Sequence, residues 1–468
     1  MARIGRWRGY QPQPLKRIYL SKKNGKQRPL SIPVMEDRAR HAVYLQTLEP
    51  LAETLADRNS YGFRPQRRCA AAIDQCFKVL SQKDSATWIV EGDIQGFFDH
   101  IAFPWIEEHI PMNKRLLAQW LRCGFSDRGT LYPTTAGVPQ GSLISPVLSN
   151  RVLDGLEQVV CGSLRFRRRH NLHYVRGADD FIVTANSREV LTDVILPRIN
   201  AFLAERGVRL SAEKTVLTPI SQGFDFLGPT VRKHERHTGK PAKLRITPSQ
   251  ASFQALQAKV RTRCKQAAGA TSEQLSDALN PLLRGWANYH RHILGGQSFA
   301  QLDSFVWRRL YRWVQRRHPH KTGHWITDRY FPHRKGEAWR FTDPTTGKQV
   351  IHVQEAVKSQ RYVKVKGDAN PFDPKWEAYF QDRDRTLALC ASAAFRATLL
   401  RQQHGLCPGC WQVIQVEEEV ELHHRDGHHQ HNQPGNLVVL HPTCHRQEHY
   451  APERTPASSR PPRGVGQA

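Results

Sequence analysis

The segment His173-Tyr-Val-Arg-Gly-Ala-Asp-Asp-Phe-Ile-Val-Thr-Ala185 places two adjacent carboxylates between two apolar stretches. We expect two strands joined by a tight turn that presents Asp179 and Asp180. Adjacent carboxylates repel each other, so such a turn requires a nearby cation. A third carboxylate, Asp93, ends the apolar run Thr87-Trp-Ile-Val-Glu-Gly-Asp93. Three carboxylates at adjacent strand ends are able to bind two Mg²⁺ ions, as phosphoryl transfer requires.

Size and charge narrow the class of protein. A chain of 468 residues predicts two to four domains, and a net charge of +27 predicts a polyanionic partner, nucleic acid rather than a membrane surface. No apolar run reaches the ~18–20 residues that span a bilayer, and the basic start lacks a signal core. Nine scattered cysteines do not resemble a disulfide framework. We therefore expect a cytoplasmic, nucleoid-associated protein without a membrane partner.

A second motif joins the carboxylates to a known fold. Gly137-Val-Pro-Gln-Gly141-Ser-Leu-Ile-Ser-Pro146 has glycine and proline where backbone turns, followed by an apolar helix predicted from Pro146 to Leu156. Exposed backbone near the glycines is able to approach a base pair, with Gln140 reaching the template strand. In the order Asp93, Gln140, Asp179-Asp180, these motifs resemble the palm of a reverse transcriptase.

The resemblance is to the group II intron reverse transcriptase/maturase family and covers nearly the whole chain. It rests on successive blocks in the family's order: Ser60-Tyr-Gly-Phe-Arg-Pro65, Gly92-Asp-Ile-Gln-Gly-Phe-Phe-Asp99, Gly137-Val-Pro-Gln-Gly141, Leu210-Ser-Ala-Glu-Lys-Thr215, Phe224-Asp-Phe-Leu-Gly228 and Gly285-Trp-Ala-Asn-Tyr-His290. It implies that Asp93, Asp179 and Asp180 bind two Mg²⁺ ions beside the primer end and the incoming dNTP. It also implies phosphate contacts, for which surface cations are the alternative, from Lys22, Lys23, Lys26, Arg28 and Arg64. Phe97 would lie beneath the nucleotide sugar, with core packing as its alternative.

Two departures from the family affect the expected activity. The family usually carries an aromatic residue before Ala-Asp-Asp, and here Gly177 stands in its place. The chain also starts close to its first fingers block, so we expect that a common N-terminal extension is absent. Both departures predict a weakened polymerase with retained RNA binding, and Gly177→Tyr would then raise primer extension.

The helical region near residue 286 mixes aromatic and basic residues. Trp286 and Tyr289 are three apart, hence on one helical face, with Arg284 and Arg291 nearby. One interpretation is an aromatic pair facing the core between solvated cations. The other, which the resemblance implies, is a thumb surface that binds intron RNA through phosphates and stacking.

The C-terminal region contains metal-site spacing. Cys407-Pro-Gly-Cys410 and His441-Pro-Thr-Cys444 are two pairs that suit tetrahedral Zn²⁺, with His449 as another candidate for the fourth ligand. The sequence between and after them resembles the HNH nuclease family, a ββα fold around one divalent metal ion. That resemblance implies His424 as general base, Asn436 as support for its loop, and three candidate metal ligands, His423, His445 and His449. The alternative is a zinc ribbon that only binds DNA.

The complete prediction is an α+β multidomain protein. It comprises fingers (1–85), palm (86–230), a helical maturase thumb (231–320), a DNA-binding segment (321–395), an HNH endonuclease (396–452) and a disordered tail (453–468). It would bind intron RNA as a lariat ribonucleoprotein, assist splicing, cleave target DNA and copy the intron from the new 3′ end. The alternatives are a maturase with a decayed palm, and a nuclease that uses the polymerase fold only as an RNA platform.

Overall fold

The computed structural model describes residues 9–21, 25, 27–235, 242–332, 339–360, 362–391, 394–415, 418, 420–428 and 433–450. The chain divides into two compact units, Met1–Asn370 and Pro371–Ala468. The strands are β1 (Leu15–Ser21), β2 (Gln27–Ile32), β3 (Trp88–Gly92), β4 (Phe125–Asp127), β5 (Thr130–Tyr132), β6 (His173–Gly177), β7 (Asp180–Ala185), β8 (Val216–Pro219), β9 (Phe224–Asp225), β10 (Pro229–His234), β11 (Lys243–Pro248), β12 (Glu421–His424) and β13 (Leu437–Leu440). The helices are α1 (Met35–Leu55), α2 (Cys69–Leu80), α3 (Phe97–His100), α4 (Phe103–His109), α5 (Lys114–Arg122), α6 (Ser145–Leu153), α7 (Leu156–Cys161), α8 (Leu164–His170), α9 (Leu196–Ala204), α10 (Gln250–Gln266), α11 (Ser272–His290), α12 (Gly296–Arg317), α13 (Gly323–Tyr330), α14 (Val353–Ala356), α15 (Glu377–Ala391), α16 (Ala394–Gln402) and α17 (Pro442–Tyr450).

A four-stranded antiparallel sheet, in the order β6-β7-β3-β8, forms the centre of the first unit. β6 and β7 make a hairpin in which Gly177 pairs with Asp180, so the predicted strand-turn-strand is confirmed. On the next strand Gly92 pairs with Phe181, which places the following residue, Asp93, beside the hairpin turn. The three carboxylates therefore meet at one edge of the sheet because of strand register.

The apolar helix expected from Pro146 to Leu156 is instead two helices. α6 ends at Leu153 and α7 begins at Leu156. Gly155 has φ of +95°, a conformation that ends a helix and favours glycine, and its N–H donates to Asp57 Oδ1 at 3.0 Å. The break brings Asp154 into the interior behind the sheet.

The first unit also contains a three-stranded sheet, β11-β10-β9, a second four-stranded sheet and a group of helices. The second four-stranded sheet has the order β2-β1-β4-β5: β1 and β2 precede β3 in sequence, whereas β4 and β5 lie between β3 and β6. The helix α1 agrees with the helix predicted from Asp37 to Ala56. α10, α11 and α12 pack around a separate apolar core. Phe341, Val350 and Val353 join this core, although the sequence analysis assigned them to a DNA-binding segment. In the described part of the chain, no helix combines the length and apolar character needed to cross a membrane.

The second unit contains a small ββα arrangement. β12 and β13 pair antiparallel, with Leu422 opposite Val439 and His424 opposite Leu437, and α17 follows directly. A compact apolar core, formed with α16, supports this hairpin. The predicted tail lies at 453–468, outside the described residues.

Candidate functional site

The three carboxylates line one cavity of about 250 Å³. Six of the predicted site residues lie on its wall: Arg28, Asp93, Phe97, Gln140, Asp179 and Asp180. They come from β2, the end of β3, α3, the Gly137–Gly141 loop and the β6–β7 turn. The strand register and the loop thus bring together residues that lie more than 150 positions apart in the sequence.

Burial and mutual repulsion raise the pKa of both carboxyl groups of the Asp dyad. Burial, followed by repulsion from Asp179 and Asp93, raises the pKa of Asp180 to about 6. The pKa of Asp179 is raised too, chiefly by burial, with a further contribution from Asp93. Carboxylate oxygens are the ligands that Mg²⁺ prefers, and a divalent ion would offset both effects. The donor set therefore fits the two metal ions that the family resemblance implies.

Lys214 is a site residue that the sequence analysis missed. Its Nζ donates to Asp93 Oδ2 at 2.9 Å, and this bond raises the pKa of Lys214. The side chain lines the same cavity and is two-thirds exposed, so it is free to change its position. The signal that could have found it is its place in the Leu210–Thr215 block.

The Gly137–Gly141 loop requires glycine at its start. Gly137 has φ of +85°, and a Cβ there would lie 2.7 Å from the backbone of Asp99. The Gln140 carbonyl accepts from the N–H of Ser31 at 2.7 Å, which ties the loop to β2. Gln140 is thereby held on the cavity wall, where the sequence analysis expected it to reach a template strand.

Arg64 is a correction to the predicted phosphate contacts. Its guanidinium is buried and donates to both carboxylate oxygens of Glu53, at 2.8 and 2.5 Å, and to the carbonyls of Asp57 and Ser60. A cation with these partners supports the segment from Asp57 to Ser60, which follows α1, and is not available to a phosphate. Arg28 is exposed on the cavity wall. The remaining predicted contacts, Lys22, Lys23 and Lys26, lie outside the described residues.

The space beside Gly177 is filled. A Cβ at Gly177 would lie 2.7 Å from Leu227 Cδ1 and 2.8 Å from Cδ2. Leu227 itself has φ of +49°, unusual for a residue with a side chain, and its carbonyl accepts from Tyr289 at 2.6 Å. The glycine therefore does not leave a void, and the expected gain from Gly177→Tyr requires that Leu227 move.

The predicted RNA-binding residues of α11 separate into two groups. Trp286 is a correction, because its Nε1 donates to Ser252 Oγ at 3.0 Å and its ring packs on Phe253, His290 and Phe299. The other three remain at least partly accessible, with Arg284 and Tyr289 exposed and Arg291 half-buried. Burial, with nearby Arg68, lowers the pKa of Arg291.

Four ligand atoms converge in the second unit. One ligand atom from each of Cys407, Cys410, His441 and Cys444 lies within 4.8 Å of the other three. The Nδ1 of His441 lies 3.3 Å from Cys410 Sγ, and its Nε2 lies 3.1 Å from a Glu418 carboxylate oxygen. Such a carboxylate partner orients a metal-binding imidazole. The group fits one tetrahedral ion, with His441 as the fourth ligand.

Crowding of the thiols has an electrostatic consequence. Burial, with the neighbouring thiols of Cys410 and Cys407, raises the pKa of Cys444 to about 12. A bound metal ion removes this penalty because it stabilises thiolates directly. A Cβ at Gly409 would lie 2.9 Å from Cys444 Cβ, so glycine permits the close approach of the two chain segments.

Two of the predicted histidines, His423 and His445, lie close together. The His423 and His445 rings are 5.3 Å apart, and His445 Nδ1 lies 2.5 Å from a Glu421 carboxylate oxygen. His424 ends β12, directly before the loop that Asn436 supports. The backbone of His449 lies in α17, but its side chain is outside the described residues.

Asn436 makes the contacts expected of a loop support. Its Oδ1 accepts from the N–H of Asp426 at 3.1 Å, its Nδ2 donates to Asp426 Oδ1 at 2.7 Å, and its carbonyl accepts from the N–H of Arg425. The turn after His424 is thus fixed on both sides. The arrangement agrees with the role predicted for Asn436, although that role itself remains a prediction.

Comparison with known families locates two domains. Residues 20–231 match the reverse transcriptase (RNA-dependent DNA polymerase) family, and residues 253–331 match the maturase-specific domain of group II introns. The first match contains the whole carboxylate cavity, and the second contains α11 and α12. Neither match extends into the Cys/His module.

Several individual proteins are similar to part of this chain. Protein YkfC of Escherichia coli K12 is 30% identical over 264 residues, which cover 49% of this chain and 69% of that protein. The group II intron-encoded protein LtrA of Lactococcus lactis is 28% identical over 320 residues, 54% of this chain and 53% of LtrA. An uncharacterized 91 kDa protein in the cob intron of Schizosaccharomyces pombe is 24% identical, covering 63% of this chain and 45% of that protein. The chain belongs to the family of group II intron reverse transcriptases and maturases.

Proposed function

We propose that the first unit is an RNA-directed DNA polymerase that binds group II intron RNA. The observation that carries this proposal is the cavity in which Asp93, Asp179 and Asp180 meet. Two Mg²⁺ ions bound there would activate the primer 3′-hydroxyl and neutralise the triphosphate. The family membership supports RNA as the template.

The remaining cavity residues have roles that follow from their positions. The exposed cations Lys214 and Arg28 would bind the triphosphate, since both line the cavity that contains the three carboxylates. Phe97 would form the floor beneath the sugar, where its bulk excludes a 2′-hydroxyl. Gln140 would contact the template through the loop that β2 holds in place.

Intron RNA would bind the thumb through α12 as well as α11. Arg308, Arg312 and Arg316 are exposed and four residues apart, so they form one basic row along α12. A basic row of this kind suits the phosphates of structured RNA. RNA binding by this surface supports a splicing role, because a maturase stabilises the folded intron.

For the second unit we propose an HNH-type DNA endonuclease with a structural zinc ion. The support is the ββα arrangement, the Cys₃His group, and the placement of His423, His424 and His445 on and beside β12. His424 would activate the attacking water, while the metal ion would stabilise the developing phosphate charge. Cleavage of target DNA would then supply the 3′ end that the palm extends.

A second candidate is a maturase and nuclease whose polymerase is weakened. Gly177 favours it, because the residue before Ala-Asp-Asp differs from the family pattern and Leu227 occupies the space beside it. Copying of the intron RNA into DNA, which requires dNTPs, distinguishes the active polymerase from the maturase and nuclease with a weakened polymerase. Asp179→Ala should leave splicing intact under both, and should abolish insertion of the intron copy only if the palm copies RNA.

The nuclease is tested independently of the palm. His424→Ala should remove cleavage of target DNA and spare splicing, with His428→Ala, an exposed residue of the following loop, as the matched control. Cleavage that persists in His424→Ala would refute the assignment. DNA binding without any cleavage by the unaltered chain would favour the zinc ribbon that only binds DNA.

A further inference from the structure

The turn that carries the Asp dyad has a backbone conformation that needs support. Ala178, which precedes Asp179, has φ of +67°, where residues with a side chain are uncommon. Such conformations persist only where the surrounding structure determines them. The contacts of Ala178 therefore control where the two carboxylates lie.

Arg176 holds this turn from the interior. It is fully buried on β6, its Nη1 donates to the carbonyl of Ala178 at 3.4 Å and to Asn150 Oδ1 at 3.1 Å, and its Nη2 donates to Asp154 Oδ1 at 2.8 Å. Partners in a dry interior are costly to lose, since water cannot replace them. Arg176 therefore links the turn rigidly to α6 and to the residue at its end.

Gly62 contacts the same turn directly. A Cβ at Gly62 would lie 2.8 Å from Ala178 Cα and 2.9 Å from Ala178 Cβ, so any side chain would displace the turn. Asn150 joins the two supports, because its Nδ2 donates to the carbonyl of Gly62 at 2.9 Å. The neighbouring N–H of Tyr61 donates to the carbonyl of Arg176 at 2.9 Å, which fixes this loop along the edge of β6.

We propose that Gly62, Asn150 and Arg176 are positioning residues that set the spacing of Asp179 and Asp180 relative to Asp93, and thereby the affinity of the cavity for divalent cations. None of the three lines the cavity. They act through the backbone of Ala178. The catalytic consequence rests on the proposed polymerase function, whereas the effect on cation binding requires no substrate.

The test is Mn²⁺ binding to the full chain, followed by electron paramagnetic resonance. Mn²⁺ binding that is lost in Asp179→Ala/Asp180→Ala is assigned to the cavity. Mn²⁺ binding that this double variant retains, including any by the second unit, is not counted. Gly62→Ala should weaken Mn²⁺ binding by the cavity at least five-fold. Gly269→Ala is the matched control, since a Cβ there meets nothing within 4 Å, and it should bind as the unaltered protein does.

Asn150→Leu provides a second variant of similar size, which loses both bonds to the supports and should also weaken cavity binding. A structural role alone would lower the melting temperature of these variants and leave the Mn²⁺ affinity of the folded fraction unchanged. That result would overturn the inference, as would the absence of any Mn²⁺ binding that depends on the dyad. Cation binding by the cavity without primer extension would sink the polymerase proposal while leaving this inference in place.

Discussion

Phe97 lies between the palm core and the carboxylate cavity, with only 3% of its surface exposed. Shortening it should open the floor of the cavity to a 2′-hydroxyl. We predict that Phe97→Val raises ribonucleotide incorporation relative to deoxynucleotide incorporation at least ten-fold, at a stability cost of roughly 1–3 kcal/mol. The ratio of kcat/KM values for the two substrates measures this. Phe103→Val, in the same core but off the cavity wall, should leave the ratio unchanged; an equal change in both variants would contradict the role of Phe97.

Gly177 and Leu227 form a pair whose members must be changed together. Gly177→Tyr alone should cost roughly 1–3 kcal/mol, because the new side chain meets the Leu227 methyl groups. We predict that this single variant unfolds at a lower temperature and extends primers less than the unaltered protein. Gly177→Tyr/Leu227→Ala should recover the melting temperature and exceed the single variant in extension. Equal stability of both variants would show that Leu227 does not limit the site.

His290 provides a pH test of the thumb. Burial, together with nearby His292, lowers its pKa to about 4, below the usual 6.5, so the folded protein holds it neutral. The neutral imidazole is fully compatible with folding above pH 6.5. As the pH falls from 6.5 toward 4, the unfolded state takes up a proton that the folded state does not, and the free energy of unfolding decreases by up to roughly 2–3 kcal/mol. Relative to His290→Gln, the unaltered protein should therefore lose stability in urea between pH 7.5 and 4.5. Exposed His320→Gln should follow the unaltered protein; identical slopes in all three would contradict the prediction.

The difference between Asp179 and Arg64 explains which residues could be predicted from sequence. Asp179 follows an apolar strand, and local periodicity is sufficient to place it at a turn. Arg64 has an equally clear motif, but its partner Glu53 lies on α1, and only the fold reveals that the pair is buried. Lys214 was missed although its block, Leu210–Thr215, was recognised, because the motif does not show that this side chain reaches Asp93.

At the scale of elements, the Cys/His module should depend on its metal ion. Metal binding supplies roughly 10 kcal/mol of folding free energy in small zinc modules. We predict one zinc ion per chain, and loss of the β12–β13–α17 fold on treatment with a chelator or in Cys410→Ser. Zinc content and amide hydrogen exchange of this module measure the two effects. Cys264→Ser, in α10, should retain the zinc; a fold that resists both treatments would contradict the metal-dependent account.

Helix patterns predicted the existence of elements better than their limits. The helix predicted from Pro146 to Leu156 included Asp154 and Gly155. The sequence alone does not show that Gly155 adopts a positive φ, which ends α6 before this point. Similarly, the three-residue spacing of Trp286 and Tyr289 is correct for one face. It does not reveal that Trp286 packs inward against α10 while Tyr289 reaches Leu227. Both differences depend on packing between elements distant in sequence.

At the scale of the whole molecule, the order of motifs predicted the polymerase and maturase domains, and the family matches agree with it. The region after the thumb was harder, since its composition is basic and its periodicity weak. Residues 341–357 complete the thumb core, and Arg67 donates to the carbonyls of Lys366 and Ala369. Such long-range contacts leave no local signal in the sequence, so domain limits are difficult to predict from it. The limits given in the sequence analysis remain predictions.

The measurement that tests the central claim most directly is primer extension on an RNA template with Mg²⁺. We predict extension by the unaltered chain, a loss of at least a thousand-fold in Asp179→Ala/Asp180→Ala, and unchanged extension in Asp193→Ala, an exposed palm residue outside the cavity. RNA binding, measured alongside, should be equal in all three. A folded, RNA-binding chain that makes no DNA, or a double variant that extends as well as the unaltered chain, would contradict the assignment of this cavity as a polymerase site.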